Sequence, residues 1–184
     1  ARRRALGWLV WDLHFDVEPL ADATGCLAPV DDMTLDRIRS LTVSDRLVAG
    51  LDIYPISVMN VGGDRPGRSV GELIDLALAE IERWHDRYQQ PFWIAETSNL
   101  TLPLDEQVPW LDAFASGLAR LRGHDRPARG LCWYSRGDQF DWQTALTEPV
   151  GAVTEVGLFD NARQARPVAT HFAGWAGSGV PTGA

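Results

Sequence analysis

Acidic side chains stand at the ends of apolar runs in this sequence, and Glu96 is the plainest case. Glu96 directly follows the apolar run 91–95 and precedes the polar Thr97. A run that is apolar at every position indicates a strand buried on both faces, as in a parallel sheet covered by helices. Ligands of such sheets bind at the carboxyl ends of the strands. We therefore interpret Glu96 as a candidate catalytic carboxylate.

A second group of chemically active side chains lies near the amino end of the chain. Asp12, His14, Asp16 and Glu18 occupy alternate positions along and just beyond a predicted strand from Leu9 to Phe15. Alternate residues of a strand face the same side of a sheet, so these side chains would share one side if the strand continued that far. Such a set suits a metal ion, and a metal-dependent barrel hydrolase using Asp12, His14 and Asp16 is one alternative function.

Aromatic and acidic residues are interleaved in two further predicted strands. Asp52 and Tyr54 would share one face of a strand over residues 48–56. A strand over residues 129–135 runs into a polar and aromatic stretch. Its candidate binding residues are Trp133, Tyr134, Asp138, Gln139, Asp141 and Trp142. Flat rings stack on sugar faces and carboxylates accept from hydroxyls, so the pattern favours a carbohydrate ligand, although core packing is the preferred interpretation of Trp133.

The elements that must position these side chains alternate between strand and helix. Helices are predicted after Asp31, after a capping-box pair at Ser69 and Glu72, from Asp105 to Gly123, and from Pro167. Residues 62–67 predict a loop. Residues 1–176 predict one domain or part of a larger one, and residues 177–184 predict a flexible Gly/Ser/Pro tail. This order predicts an α/β fold with a parallel sheet of four strand-helix units, either a short doubly wound sheet or half of a (β/α)8 barrel.

Composition excludes several classes of function. The 184 residues carry 25 acids and 17 bases, a net charge of -8, which argues against a nucleic-acid partner. Every base is arginine, so these residues cannot supply a catalytic lysine, a lysine-anchored cofactor or a P-loop. Cys26 and Cys132 lack metal-site spacing and are expected to be buried. We expect no cofactor, no membrane span and a cytoplasmic location.

Three motifs together give the chain a family resemblance. The segment P-F-W-I-A-E-T ending at Thr97 resembles the strand-seven motif I-T-E-N-G of the family 1 glycoside hydrolases. The segment G-L-D-I-Y ending at Tyr54 resembles their strand-six motif G-I-N-Y-Y. Residues 130–142 resemble the strand-eight run that ends W-S-L-L-D-N-F-E-W. The segment V-G-L-F-D at 156–160, followed by Arg166-Pro167, is similar to the carboxyl-terminal segments of the family.

The resemblance implies a (β/α)8 barrel of which this chain holds about four units, strands five to eight. It implies retaining hydrolysis of glycosides, with Glu96 as nucleophile and Tyr54 as the residue that hydrogen-bonds it. Asp52, Trp133, Tyr134, Asp138, Gln139, Asp141 and Trp142 would contact a carbohydrate or glycoside substrate. The chain departs from the family at Asp52 for asparagine, Thr97-Ser98 for N-G, Tyr134 for tryptophan and Asp141 for glutamate.

Retaining hydrolysis also needs a general acid/base, which the family carries after strand four. We expect that residue in a missing amino-terminal half-barrel, which would complete the fold. Glu18, in the string F-D-V-E-P, is the alternative within this chain. A carbohydrate-binding homologue that has lost catalysis is the remaining alternative.

Overall fold

The computed structural model describes residues 2–41, 47–59 and 67–178. The chain divides into two compact units. The first comprises Ala1–Val48 with Tyr88–Gln90, and the second comprises Ala49–Arg87 with Pro91–Ala184.

The described residues of the first unit form three helices before Ala49. These are α1 (Arg2–His14), α2 (Ala21–Thr24) and α3 (Asp32–Ser40). Asp31 caps α3, since its Oδ1 accepts a 2.9 Å hydrogen bond from the backbone N–H of Thr34. That hydrogen bond, joined by one from the Thr34 hydroxyl, lowers the pKa of Asp31. The helix predicted after Asp31 is confirmed.

The strand predicted from Leu9 to Phe15 is wrong, because these residues fall in α1 and the turn that follows it. Helical spacing brings Trp11 and Phe15 into a parallel stack at 5.8 Å, and Phe15 also packs against Tyr88 at 5.3 Å. A short apolar run fits a strand or a buried helix equally well by periodicity. Here, aromatic contacts at the helical i, i+4 spacing decide in favour of the helix.

The second unit is built on a parallel sheet with strand order β1-β2-β3. The strands are β1 (Ala49–Asp52), β2 (Phe92–Thr97) and β3 (Ala128–Trp133). The helices are α4 (Pro55–Met59), α5 (Val70–Tyr88), α6 (Gln107–Gly123) and α7 (Pro167–Ser178), and a 3-10 turn over Leu104–Glu106 precedes α6. After β3, β4 (Gln139–Phe140) pairs antiparallel with β5 (Val153–Thr154), and a 3-10 turn over Trp142–Thr144 lies between them.

Three of the four predicted parallel strands are therefore confirmed, and within the described ranges they do not close into a barrel. The capping box of α5 is confirmed as well: the Ser69 backbone N–H donates to Glu72, and the Glu72 N–H donates to the Ser69 hydroxyl. The predicted loop 62–67 lies outside the described residues except for Gly67. Helix α7 extends to Ser178, two residues into the predicted tail, and 179–184 lie outside the described residues.

Helices α5 and α6 pack on one face of the sheet. Trp84 of α5 contacts Phe92 edge-on at 6.1 Å, and Trp110 of α6 reaches Thr97. Phe92, Ile94 and Thr97 are each 0% exposed. A side chain at Gly117 would lie 2.5 Å from Leu78, so α6 approaches α5 closely there.

The opposite face of the sheet is open, so the prediction that β2 is buried on both faces is wrong for the described residues. Trp93 is 39% exposed on this face, and Cys132 of β3 is exposed. Cys26, which follows α2, is exposed too, so the expected burial of the two cysteines is wrong. Among the described residues, no helix combines the length and apolar character needed to cross a membrane.

Candidate active site

Glu96 lies near the end of β2 at a β-bulge. Leu51 of β1 pairs with Ile94, but the next residue, Asp52, pairs with Glu96. One residue on β1 therefore matches two on β2. Bulges of this kind insert an extra residue that bends the strand and redirects a side chain, and they are frequent beside active sites.

The pairing of β2 with β3 shows the same extra residue. Ile94 pairs with Leu131 and Thr97 with Trp133, so three steps along β2 match two along β3. Strict alternation would place Glu96 on the face of Phe92 and Ile94, against the helices. The bulge instead puts Thr97 on that buried face and leaves Glu96 half-buried on the open one.

Tyr54 contacts Glu96 directly. The Tyr54 hydroxyl donates a 2.7 Å hydrogen bond to Glu96 Oε2. Burial raises the pKa of Tyr54, and the hydrogen bond to the Glu96 carboxylate raises it further, so the phenol stays a neutral donor. The backbone N–H of Tyr54 donates in turn to the Ser57 hydroxyl at the start of α4, which fixes the turn after β1.

Asp52 is the cross-strand neighbour of Glu96. Its side chain is exposed, and partial desolvation together with the nearby Glu96 charge raises the pKa of Asp52. Within the described ranges, neither Asp52 nor Glu96 is paired with an arginine, either by a hydrogen bond or by an ion pair. The two carboxyls and the Tyr54 hydroxyl thus form an acidic group at the carboxyl end of the sheet.

Backbone hydrogen bonds tie the Glu96 segment to both neighbouring strands. The Ile53 N–H donates to the Glu96 carbonyl at 2.9 Å, and the Tyr134 N–H donates to the Thr97 carbonyl at 2.8 Å. The second bond places Tyr134, the first residue after β3, beside the backbone of Thr97, which directly follows the candidate nucleophile.

Tyr134, Gln139 and Trp142 form a second group beyond β3. The Tyr134 and Trp142 rings stack in parallel, with centroids 5.2 Å apart and planes 4° apart. The Tyr134 hydroxyl donates to Gln139 Oε1 at 3.4 Å, and Gln139 Nε2 donates to the Ser135 hydroxyl at 2.7 Å. This platform combines flat apolar faces with an amide, a combination typical of sugar-binding surfaces.

The other predicted sugar contacts have protein partners. Trp133 is 5% exposed and donates its indole N–H to the Val156 carbonyl at 2.8 Å. Asp141 has a left-handed backbone, with φ of 59°, and its Oδ1 accepts from the Ala152 N–H at 2.9 Å. Asp138 forms a bidentate ion pair with Arg166. Their sugar contacts remain predictions, and these partners favour a structural role for each.

Sequence reasoning did not identify the Asp138–Arg166 pair, because 28 residues separate the partners. Desolvation of Asp138 is outweighed by hydrogen bonds from Arg166 and from the Gly157 N–H, so the pKa of Asp138 lies below its ordinary value. Gly157 is required here: a side chain would lie 2.5 Å from backbone atoms of Gly137 and Phe159. In the sequence, the only indication of this ion pair was the resemblance of V-G-L-F-D at 156–160 and of Arg166-Pro167 to segments of the family.

The strand geometry assumed for a metal site at Asp12, His14 and Asp16 is wrong, since all three lie on α1 or the turn after it. Asp12 is 0% exposed and accepts a 2.6 Å hydrogen bond from the Tyr88 hydroxyl, while Asp16 faces Arg39 at 3.6 Å. The described ranges contain no cluster of three or more histidine, cysteine or acidic side chains placed to hold a metal ion.

Glu18 lies in the first unit and is exposed. Its role as general acid/base remains a prediction.

No protein-family model matches the sequence, and no curated protein does. Solved structures do match. The family 1 β-glucosidase from Thermotoga maritima aligns with 98% of this chain at 14% identity and a TM-score of 0.67. A β-glucosidase from Exiguobacterium marinum aligns with 91% at 14% identity and a TM-score of 0.63. A β-D-glucuronidase from Dictyoglomus thermophilum aligns with 89% at 22% identity and a TM-score of 0.53.

The chain spans less than half the length of these proteins, covering 46%, 43% and 30% of them respectively. At such identities the similarity concerns the fold. The resemblance drawn from the strand motifs is confirmed at that level: the chain has the α/β architecture found in about half of a family 1 β-glucosidase barrel.

Proposed function

We propose that this chain carries the nucleophile side of a retaining glycoside hydrolase. Glu96 attacks the anomeric carbon of a β-glycoside, and the leaving-group oxygen departs with a proton from a general acid. Water then attacks the same carbon, loses a proton to that group acting as base, and releases Glu96. The acid/base is supplied by a part of the whole protein outside this chain, with Glu18 as the alternative within it.

One observation carries this proposal. A half-buried carboxylate at the end of a parallel strand accepts a 2.7 Å hydrogen bond from Tyr54 on the adjacent strand. A neutral phenol fixes the orientation of one carboxylate oxygen without taking its charge, and the other oxygen stays available to attack. The similarity to β-glucosidase structures supports the same assignment, because the fold places the ends of parallel strands at a common edge.

The substrate is proposed to be a carbohydrate or glycoside. The stacked rings of Tyr134 and Trp142 offer a flat surface, and Gln139 and Asp52 offer polar groups for hydroxyls. Trp133, Asp138 and Asp141, which the sequence predicts as sugar contacts, are proposed to hold the segment after β3 beside the substrate.

The test is Glu96→Gln in the intact protein, assayed on aryl β-glycosides with an activated leaving group. Loss of the nucleophile should abolish turnover while the melting temperature stays close to that of the wild type. Glu148→Gln, at an exposed loop position, is the matched control and should retain full activity. If the wild type binds sugar but shows no turnover, the non-catalytic alternative is favoured; an active Glu96→Gln enzyme would refute the assignment.

A further inference from the structure

The β-bulge in β2 is joined to helix α6 by one buried side-chain hydrogen bond. Trp110 Nε1 donates to Thr97 Oγ1 at 2.9 Å, and both residues are 0% exposed. Trp110 is itself held by Phe114, at a ring distance of 5.6 Å. Thr97 directly follows Glu96, so this contact acts on the residue next to the candidate nucleophile.

Backbone hydrogen bonds alone do not decide which way Glu96 points. The Ile53 N–H donates to the Glu96 carbonyl and the Tyr134 N–H donates to the Thr97 carbonyl. These two bonds hold the backbone of the Glu96 segment between the chain segments that follow β1 and β3. Strands carry such bonds in either register, whereas a shift by one residue turns every following side chain to the other face.

The Trp110–Thr97 bond does discriminate between the two registers. Without the bulge, Thr97 would turn to the open face and Glu96 toward α6. The buried indole N–H of Trp110 would then lose its acceptor, and a carboxylate would enter an apolar helix interface; both changes are costly. The hydrogen bond therefore favours the register that exposes Glu96.

We propose that Trp110 and Thr97 are positioning residues for the reaction, because their hydrogen bond holds the bulged register that aims Glu96 at the anomeric carbon. This inference rests on the proposed function, since it concerns the alignment of the Glu96 nucleophile. It adds two residues, on α6 and at the end of β2, that do not touch the substrate themselves.

The test measures the rate constant for covalent inactivation of the intact protein by a 2-deoxy-2-fluoro aryl glycoside, together with kcat and KM. Thr97→Val removes the acceptor at nearly constant shape, Trp110→Phe removes the donor, and Thr97→Ser keeps the hydroxyl. A misaligned nucleophile should lower the inactivation rate constant and kcat about 10- to 100-fold in the first two variants, with little change in KM. Thr97→Ser should stay close to the wild type, and the Thr97→Val/Trp110→Phe double variant should be no slower than either single variant.

Trp175→Phe is the matched control. Trp175 Nε1 donates to Asp112 Oδ1 at 2.8 Å, so this variant removes an indole hydrogen bond from the other side of α6. It should lower the melting temperature without slowing inactivation. If Thr97→Val fails to fold, Trp110→Phe and Thr97→Ser carry the comparison.

Two results would overturn the inference: a wild-type inactivation rate constant in Trp110→Phe, or rate losses that simply add in the double variant. Failure of the proposed function looks different. In that case Glu96→Gln remains active or is still labelled, whatever the Thr97 and Trp110 variants do.

Discussion

The Tyr54 hydroxyl and Glu96 Oε2 lie 2.7 Å apart although 42 residues separate them in the sequence. The two residues come from adjacent parallel strands, β1 and β2, which pair through Asp52 and Glu96. A hydrogen bond to a charged acceptor contributes more than one between neutral groups, so this contact should govern the orientation of the carboxylate.

Tyr54→Phe removes that hydrogen bond and keeps the ring. Hydrogen bonds to charged groups contribute about 1.5–3 kcal/mol, so kcat should fall about 10- to 100-fold. Steady-state kinetics on an aryl β-glycoside measures the effect. Tyr88→Phe, which removes a phenol hydrogen bond to Asp12 instead, is the control and should leave kcat within a few-fold of the wild type. An unchanged kcat in Tyr54→Phe would contradict the proposal that the Tyr54 phenol orients Glu96.

Asp52→Asn should change how stability depends on pH. The folded-state pKa of Asp52 is raised, so folding favours its protonated form and the folded state loses stability as pH rises through that pKa. The asparagine has no proton to lose. The melting temperature of Asp52→Asn relative to the wild type should therefore be higher at pH 7 than at pH 3.5.

Asp31→Asn serves as the control for Asp52, because the pKa of Asp31 is lowered rather than raised in the folded state. Its melting temperature relative to the wild type should be lower at pH 7 than at pH 3.5. A pH-independent difference for Asp52→Asn would contradict the raised pKa of Asp52.

Asp138→Asn should destabilise the segment after β3. The side chains of Asp138 and Arg166 are 2% and 10% exposed, and removing one partner of a buried pair costs about 3–5 kcal/mol. Because the folded pKa of Asp138 is lowered, its stabilising contribution is present above the ordinary carboxyl pKa and is lost as pH falls. Urea unfolding at pH 7 and pH 3 should show a large difference from the wild type at pH 7 and a smaller one at pH 3.

A surface ion pair provides the comparison. Glu80 and Arg83 lie 2.9 Å apart on α5, with the Arg83 side chain 49% exposed. Glu80→Gln should cost no more than about 1 kcal/mol. Equal costs for Asp138→Asn and Glu80→Gln would show that Asp138 and Arg166 do not stabilise the fold as a buried pair.

Trp142→Ala should weaken substrate binding more than it slows the chemical step. The Tyr134–Trp142 stack is the proposed sugar platform, and aromatic contacts of this kind contribute about 0.5–1.5 kcal/mol beyond area burial, which corresponds to about 2- to 12-fold in KM. Phe140→Ala removes a 49% exposed ring from the neighbouring β4 and should leave KM unchanged. Equal KM values for Trp142→Ala and the wild type would rule out a sugar-binding role for the Tyr134–Trp142 stack.

The sequence indicated the main elements of the site because local patterns specify them. The apolar run before Glu96, the spacing of Asp52 and Tyr54, and the capping box at Ser69 all act over a few residues. The motif order added the pairing of Tyr54 with Glu96. These features predicted three parallel strands and helices α3, α5, α6 and α7.

Other features depend on tertiary contacts that periodicity does not contain. The residues of α1 resemble a strand until the stacking of Trp11 on Phe15 is known. Strict alternation along β2 would place Thr97 on the open face, but a bulge depends on both neighbouring strands and on Trp110, which periodicity does not describe. Alternation is therefore a poor guide at the functional end of the strand, where the register changes.

Covalent trapping of Glu96 tests the central claim most directly. The intact protein is incubated with a 2-deoxy-2-fluoro β-glycoside that carries an activated leaving group, then digested and mapped by mass spectrometry. We expect the fluoroglycosyl group on the peptide that contains Glu96, with no label on Glu96→Gln. A label on a different carboxylate, or steady turnover without any covalent adduct, would contradict the assignment of Glu96 as the nucleophile.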